Sequence, residues 1–370
     1  MCLWTVCFGL EQDKVSSVSC DLLLTAVVGN CCCFCSFSPD EKWIVLTTKD
    51  RVLSSNGHNI VINIDRSSPY YRTKYSVGWA FPFDVCPKFL HVFSSLHCFR
   101  LGIFCTSSSH LVPTGNSFNV LLTLQFFSAE HHFNMILDTA ISIPSASRWI
   151  SFLVPFFQPQ ETTALQLCFA TSADAFSLPT EIQVVSVDHI VLVNGSLALL
   201  AAANPEGRLI RSYRLDSDHV LIGCSVSEDG RFMFVNVRRM IRQEAGIEYD
   251  PRCEIHVVDF SSMHLVRKLE GSFALRDAAF LIYSSPSCIP NYPVVASGCE
   301  DGRVHLWNYR YGSPLARLAE NYNEDMESRI ERGTLRKDFT YPCLNAVSLH
   351  PTYRNVLAAA GDDGMTRIWI

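Results

Sequence analysis

Between residues 220 and 271 apolar and polar positions alternate with a period of two, in four short runs. VLIGCSV (220–226) leads into Ser-Glu-Asp-Gly, and FMFVNV (232–237) follows. After a polar stretch (238–253) come EIHVVDF (254–260) and HLVRKLEG (264–271). A period of two sends successive side chains to opposite faces of a strand, and Asp229-Gly230 has the chemistry of a hairpin turn. The pattern predicts a module of four short antiparallel strands.

The module recurs. ALRDAAFLIY (274–283), PVVASGCEDGRVHLWNYR (293–310) and SPLARLAE (313–320) repeat the order strand, strand–turn–strand, strand. A third copy starts in CLNAVSLHPTYRNVLAAAGDDGMTRIWI (343–370). Trp307 and Trp369 lie 62 positions apart. A repeat of ~40–45 residues then requires an insertion of about 20. ENYNEDMESRIERGTLRKDF (320–339), dense in both charge signs and without alternation, is expected to be that insertion, an exposed loop with room for a short helix. A degenerate copy, GNCCCFCSFSPDEKWIVLTTKDRV (29–52), has a strand, a Ser38-Pro39-Asp40 turn and a second strand. Repeated four-stranded modules are the pattern of a β-propeller. The chain divides into residues 1–54 (a degenerate first blade and a possible closing strand), 55–204 (divergent, with degenerate blades) and 205–370 (the clear blades).

Composition sharpens the middle segment. Of 370 residues 48% are hydrophobic, enough for a core, and 18% are charged, below the usual ~25%. Only Lys88, Arg100, Glu130, Asp138 and Arg148 carry charge between residues 86 and 160. Three readings of that stretch stay open: deeply buried strands, sequence that folds poorly, or translated non-coding sequence. The net charge of −6 gives no basic footprint for nucleic acid. No apolar run reaches the ~20 residues that span a bilayer, and MCLWTVCFGLEQDK lacks the basic start of a secretory leader. The 16 cysteines are therefore expected to be reduced, small core residues of a cytoplasmic protein, with the nucleus as a second compartment.

ASGCEDGRVHLWNYR (296–310), AAAGDDGMTRIWI (358–370) and LHPTYRNVLA (349–358) resemble the WD-repeat family. The resemblance implies an all-β fold, a WD-repeat β-propeller of six to eight blades with its middle blades degenerate. MCLWTV (1–6) is expected to close the ring by supplying the missing outer strand; otherwise the ring is open and exposes an edge. In the family, Asp301 and Asp363 would occupy the turns, and Trp307 and Trp369 would close the third strands. The order of blades from SEDGRFMFVNVR (227–238) to the last Trp is similar to F-box/WD-repeat proteins. That implies a non-catalytic substrate receptor of a cullin-RING ubiquitin ligase, whose partners are a ligase adaptor and protein substrates. No Leu-Pro-led helical stretch of an F-box is visible ahead of the first blade. The other docking signature of such receptors, Trp-Asp-x-Arg, reads here Trp307-Asn308-Tyr309-Arg310, with Asp301, Val304 and Leu306 before it. Arg310 would offer its planar fork of donors to a partner's carboxylate or carbonyl. A solvated blade-edge arginine is the plainer reading of the same residue. A generic WD-repeat scaffold outside the ubiquitin system is the plainer reading of the whole.

Other constellations point to no reaction. Cys32 and Cys35 form one C-x-x-C, but zinc sites want a second pair. On a regular strand Cys31, Cys33 and Cys35 would share one face and Cys32 the other. Glu130-His131-His132 lacks the spacing of a metalloprotease helix. There is no Gly-x-Ser-x-Gly, phosphate-binding loop or dinucleotide fingerprint. No enzyme activity, cofactor or metal is expected.

Overall fold

The computed structural model describes residues 3–4, 6–11, 14–20, 22–27, 31–38, 41–49, 58–76, 95–99, 103–114, 117–129, 133–143, 149–157, 162–172, 181–193, 196–200, 207–227, 229–243, 246–270, 287–288, 293–299, 303–318, 344–350, 357–361 and 365–369. All the regular structure in them is β-strand, and none of it is a helix long and apolar enough to cross a membrane.

Four short strands come first: β1 (Leu3–Trp4), β2 (Val6–Glu11), β3 (Lys14–Cys20) and β4 (Leu22–Val27). Blade one is β5 (Cys31–Phe37), β6 (Trp43–Lys49), β7 (His58–Asn63) and β8 (Lys74–Ser76). Blade two is β9 (Ser95–Phe99), β10 (Ile103–Thr114), β11 (Ser117–Ser128) and β12 (Asn134–Ile143). Blade three has β13 (Trp149–Phe157), β14 (Thr162–Ser172) and β15 (Glu181–Val193); β16 (Ser196–Leu199) and β17 (Arg208–Arg214) both pair with β15. Blade four is β18 (His219–Val226), β19 (Phe232–Gln243), β20 (Gly246–Asp259) and β21 (His264–Glu270). Blade five is β22 (Ser287–Cys288), β23 (Val294–Gly298), β24 (Val304–Asn308) and β25 (Ser313–Leu318). Blade six joins β26 (Leu344–Leu349), β27 (Leu357–Gly361) and β28 (Met365–Trp369) to β4 and β1 from the other end of the chain.

Six apolar clusters hold these six sheets in a ring, each between one blade and the next. Phe37 and Leu46 of blade one meet Ala346 and Ala358 of blade six. Val45 and Val61 meet Phe104 and Phe127. Leu122 and Leu124 meet Leu165 and Val185. Cys168 and Val184 meet Leu221 and Val235. Phe234 and Val257 meet Val295 and Trp307. Val304 and Leu306 meet Leu344 and Leu357, which completes the circle.

Strand alternation explains how one sheet serves two neighbours. Met233, Val235 and Val237 of β19 face blade three, while Phe234 between them faces blade five. A strand buried on both faces reads as a nearly unbroken apolar run. In the low-charge stretch around residue 120, Leu122, Leu124 and Phe126 are fully buried against blade three, while Phe104 and Phe127 of the same blade face blade one. Outer strands are wetter, and in β21 only Leu269 is buried. Neighbouring blades approach so closely that a Cβ on Gly298 would stand 2.5 Å from the Leu344 carbonyl oxygen.

The polar stretch 238–253 lengthens the β19–β20 hairpin, with Met240 opposite Tyr249 and Gln243 opposite Gly246. Closure is shared rather than made by residues 1–6 alone. β1 pairs parallel with β28, Leu3 opposite Ile368, and β4 adds an antiparallel partner, Val27 opposite Met365. The register of β5 against β6 shifts between Cys32 and Phe34, so the strand is not regular there. The insertion 320–339, the strand expected over 274–283 and the Glu130-His131-His132 triplet lie outside the described residues. Cys35, Cys105, Cys168, Cys224 and Cys299 are buried and form no disulfide, and burial pushes the Cys105 and Cys224 thiols well up.

Candidate interaction turn and polar cluster

The sequence singles out the end of β24 and the turn behind it. Val304, Leu306, Trp307 and Asn308 are all buried. Val304 and Leu306 face blade six. Trp307, 1% exposed, faces blade four, where its Nε1–H donates to the Glu270 carbonyl oxygen at 3.3 Å. Its indole stacks on His305, with 5.8 Å between ring centroids. None of these four side chains reaches solvent, so each acts on a partner only by holding the turn.

Asn308 does the holding. Its Oδ1 accepts the backbone N–H of Arg310 at 3.0 Å and of Tyr311 at 3.3 Å. Gly312 closes the turn at φ 74°, a conformation that suits glycine, and its N–H donates to the Asn308 carbonyl oxygen at 2.8 Å. The chain thereby lifts Arg310 and Tyr311 into solvent. Tyr309 packs back on Phe232 and Phe234, and Arg267 Nη1 donates to the Tyr311 carbonyl oxygen at 3.5 Å. Arg231 lies over Phe232, on the β18–β19 turn next door. The Arg310 guanidinium forms no ion pair among the described residues. Exposed Arg231, Arg267, Arg310 and Tyr311 thus lie around one seam between blades four and five.

Asn308 has two counterparts that the sequence reading passed over. Asp259 ends β20 and accepts from the Ser261 N–H at 3.1 Å and the Ser262 N–H at 2.9 Å. The Ser261 hydroxyl, helped by the amide and hydroxyl of Ser262, holds the Asp259 carboxyl down at about 2. Asn63 ends β7 and accepts from the Asp65 N–H at 2.9 Å. The signal was present: VVDFSS (257–262) matches LWNYRY (306–311) position by position once an apolar residue may stand for Trp. Ser38 and Ser227 are a second matched pair. Their hydroxyls accept the N–H of Trp43 and Phe232, each at 2.9 Å, across the first turn of blades one and four.

Asp301 and Asp363 lie outside the described residues, and of Trp369 only the backbone, in β28, is described. Buried Ser297 links blades five and four. Its hydroxyl donates to the Gly298 carbonyl oxygen at 3.1 Å and accepts from Asn236 Nδ2 of the preceding blade at 3.3 Å.

Among the described residues one group has the make-up of metal ligands: His219, Glu254 and His256, with ligand atoms within 4.8 Å of one another. Glu254 and His256 are two apart on β20 and so share a face; His219 opens β18, on the far side of β19. His256 Nε2 stands 3.2 Å from Glu254 Oε2, and its Nδ1 stands 3.1 Å from the Tyr213 hydroxyl. Burial pushes the His256 imidazole down to about 4, against the pull of Glu254. Burial also works to raise the Glu254 carboxyl, but the His256 hydrogen bond and Lys268, 3.3 Å away, hold it below the usual range.

Comparison with known proteins places these blades. Residues 281–308, across blade five, match the family described as WD domain, G-beta repeat. The WD repeat-containing protein 26 homolog of Drosophila melanogaster is 28% identical over 195 residues, 50% of this chain and 25% of that protein. Its Arabidopsis thaliana counterpart is 25% identical over 157 residues, 42% and 20% of the two chains. Human F-box/WD repeat-containing protein 5 is 26% identical over 181 residues, 44% and 27%. The matched stretches thus span about a quarter of those longer proteins.

Proposed function

We propose that this chain, a WD-repeat β-propeller protein, is a substrate-recognition subunit of a cullin-RING ubiquitin ligase. WD-repeat propellers in general serve as non-catalytic scaffolds that bind protein partners, and their fold alone assigns no particular partner. The finer reading is carried by one observation. Arg310 stands exposed on a turn fixed by buried Asn308 and Trp307, in a sequence that resembles the ligase-docking Trp-Asp-x-Arg. Similarity to F-box/WD repeat-containing protein 5 over 44% of the chain supports it. One edge of the ring would dock the adaptor, and another surface would hold a target protein. The contribution to ubiquitin transfer would be effective concentration, not bond chemistry. The protein would work in the cytoplasm or nucleus.

The test is recovery of a cullin adaptor with the full chain expressed in cells. The wild type is expected to bring it down, and Arg310→Ala to weaken recovery severalfold with the thermal melt unchanged, since Arg310 is on the surface. Failure of the wild type to recover any adaptor overturns the proposal. A scaffold outside the ubiquitin system is favoured by the equal similarity to the WD repeat-containing protein 26 homologs. Partner mass spectrometry that returns one stable assembly free of ligase subunits would establish it instead.

A further inference from the structure

We infer that the seam between blades three and four carries a binding site for a divalent transition metal, zinc by chemical preference, ligated by His219, Glu254 and His256. Two imidazoles and one carboxylate are a ligand set that zinc takes with its fourth position left to water. The histidines approach from opposite sides of β19, and both Nε2 atoms converge on the same oxygen. His256 Nε2 is 3.2 Å and His219 Nε2 is 4.0 Å from Glu254 Oε2. Ligands about 2.0–2.2 Å from a tetrahedral zinc stand roughly 3.2–3.6 Å apart, so atoms that now lie within 4.8 Å of one another must close up by about an ångström to complete the set.

One outer nitrogen is already engaged, as in metal sites whose histidines are oriented from behind. His256 Nδ1 meets the Tyr213 hydroxyl at 3.1 Å. With Nε2 bound to a metal, that Nδ1 carries the proton and donates it to the phenolic oxygen. His219 Nδ1 lies 2.8 Å from Asp218 Oδ1, although off the angle of a good hydrogen bond. Both imidazoles are buried, while Glu254 and Lys268 are partly exposed, which leaves an entry path on their side. Lys268, 3.3 Å from Glu254 Oε2 on the exposed strand β21, now supplies the positive charge that a dication would replace. Bound metal would clamp β18 to β20 and, through Tyr213 on β17, blade four to blade three.

The test is titration of the purified full chain with cobalt(II) chloride. Expected is one equivalent with the visible absorption of a nitrogen- and oxygen-ligated ion, and without the ultraviolet thiolate band that ligation by the cysteines would give. His256→Gln and Glu254→Gln should each weaken binding at least tenfold, and Tyr213→Phe about tenfold, the usual cost of losing an orienting partner. Lys268→Met changes an exposed side chain and should bind cobalt more tightly. A thiolate spectrum, or a site unaffected by His256→Gln, overturns the assignment. So does cobalt affinity that is unchanged or lowered in Lys268→Met, even if the histidine variants do not fold.

Discussion

Asn308 stands where the WD pattern usually has Asp, and the structure shows why either residue serves. One side-chain oxygen accepts two backbone N–H groups of the turn. Asn308→Ala should cost about 1–3 kcal/mol, the net loss of two hydrogen bonds, whereas Asn308→Asp should hold near wild type. Urea unfolding of the two variants separates these outcomes. His350 is a second residue with a measurable signature. It packs on Phe37 at the seam between blades six and one, and burial pushes its imidazole down to about 4 against the attraction of Glu41. A histidine that ionises less readily when folded lets the unfolded chain bind the extra proton. Stability from this residue is therefore full above about pH 6.5 and falls as pH drops towards 4, by about 3 kcal/mol in total. His350→Gln should flatten that part of the stability–pH curve measured by thermal melts. The fourth-blade histidines were legible only as residue types, since the spacing Glu254-x-His256 announces a shared face but nothing in sequence brings His219 to it.

Each blade is an alternating sheet whose two faces belong to two different neighbours. That is why the pattern was clear where turns carry charge, as in blade four, and opaque where they do not. Between residues 103 and 128 the strands are long, and Phe104, Cys105, Leu122, Leu124, Phe126 and Phe127 are buried. An apolar run buried on both faces loses the polar beat that marks a strand in sequence. The β19–β20 hairpin shows the converse. Arg238, Arg239 and Arg242 break the apolar alternation, yet strand pairing continues to Gln243 and Gly246, because polar side chains do not interrupt a backbone ladder. Small residues at the ends of second strands are a packing requirement between elements. Gly298→Ala would drive its methyl group into the Leu344 carbonyl oxygen of the next blade, and backbone cannot swing aside as a side chain can. The expected loss is about 1–3 kcal/mol, read as a lower melting temperature with the strand content by circular dichroism retained.

At the scale of the whole molecule the ring is closed by its two ends, with β1 and β4 from one terminus joining β26–β28 from the other in the sixth sheet. The closure leaves β28 paired on both sides, so the last strand offers no open edge to another chain. Sequence alone determined the all-β class, the repeated module, the tandem blades of the carboxyl-terminal part and the residues of the β24 turn. Each of those is a local property, fixed by a period of two, by turn chemistry and by recurrence. The tertiary structure decided that six sheets of the described residues complete the circle, that Val304, Leu306 and Trp307 are packing residues while Arg310 alone of the described signature is exposed, and that two histidines 37 positions apart converge on one carboxylate. These follow from which faces meet across blades, and one strand's pattern says that a face is apolar without saying what it will be pressed against.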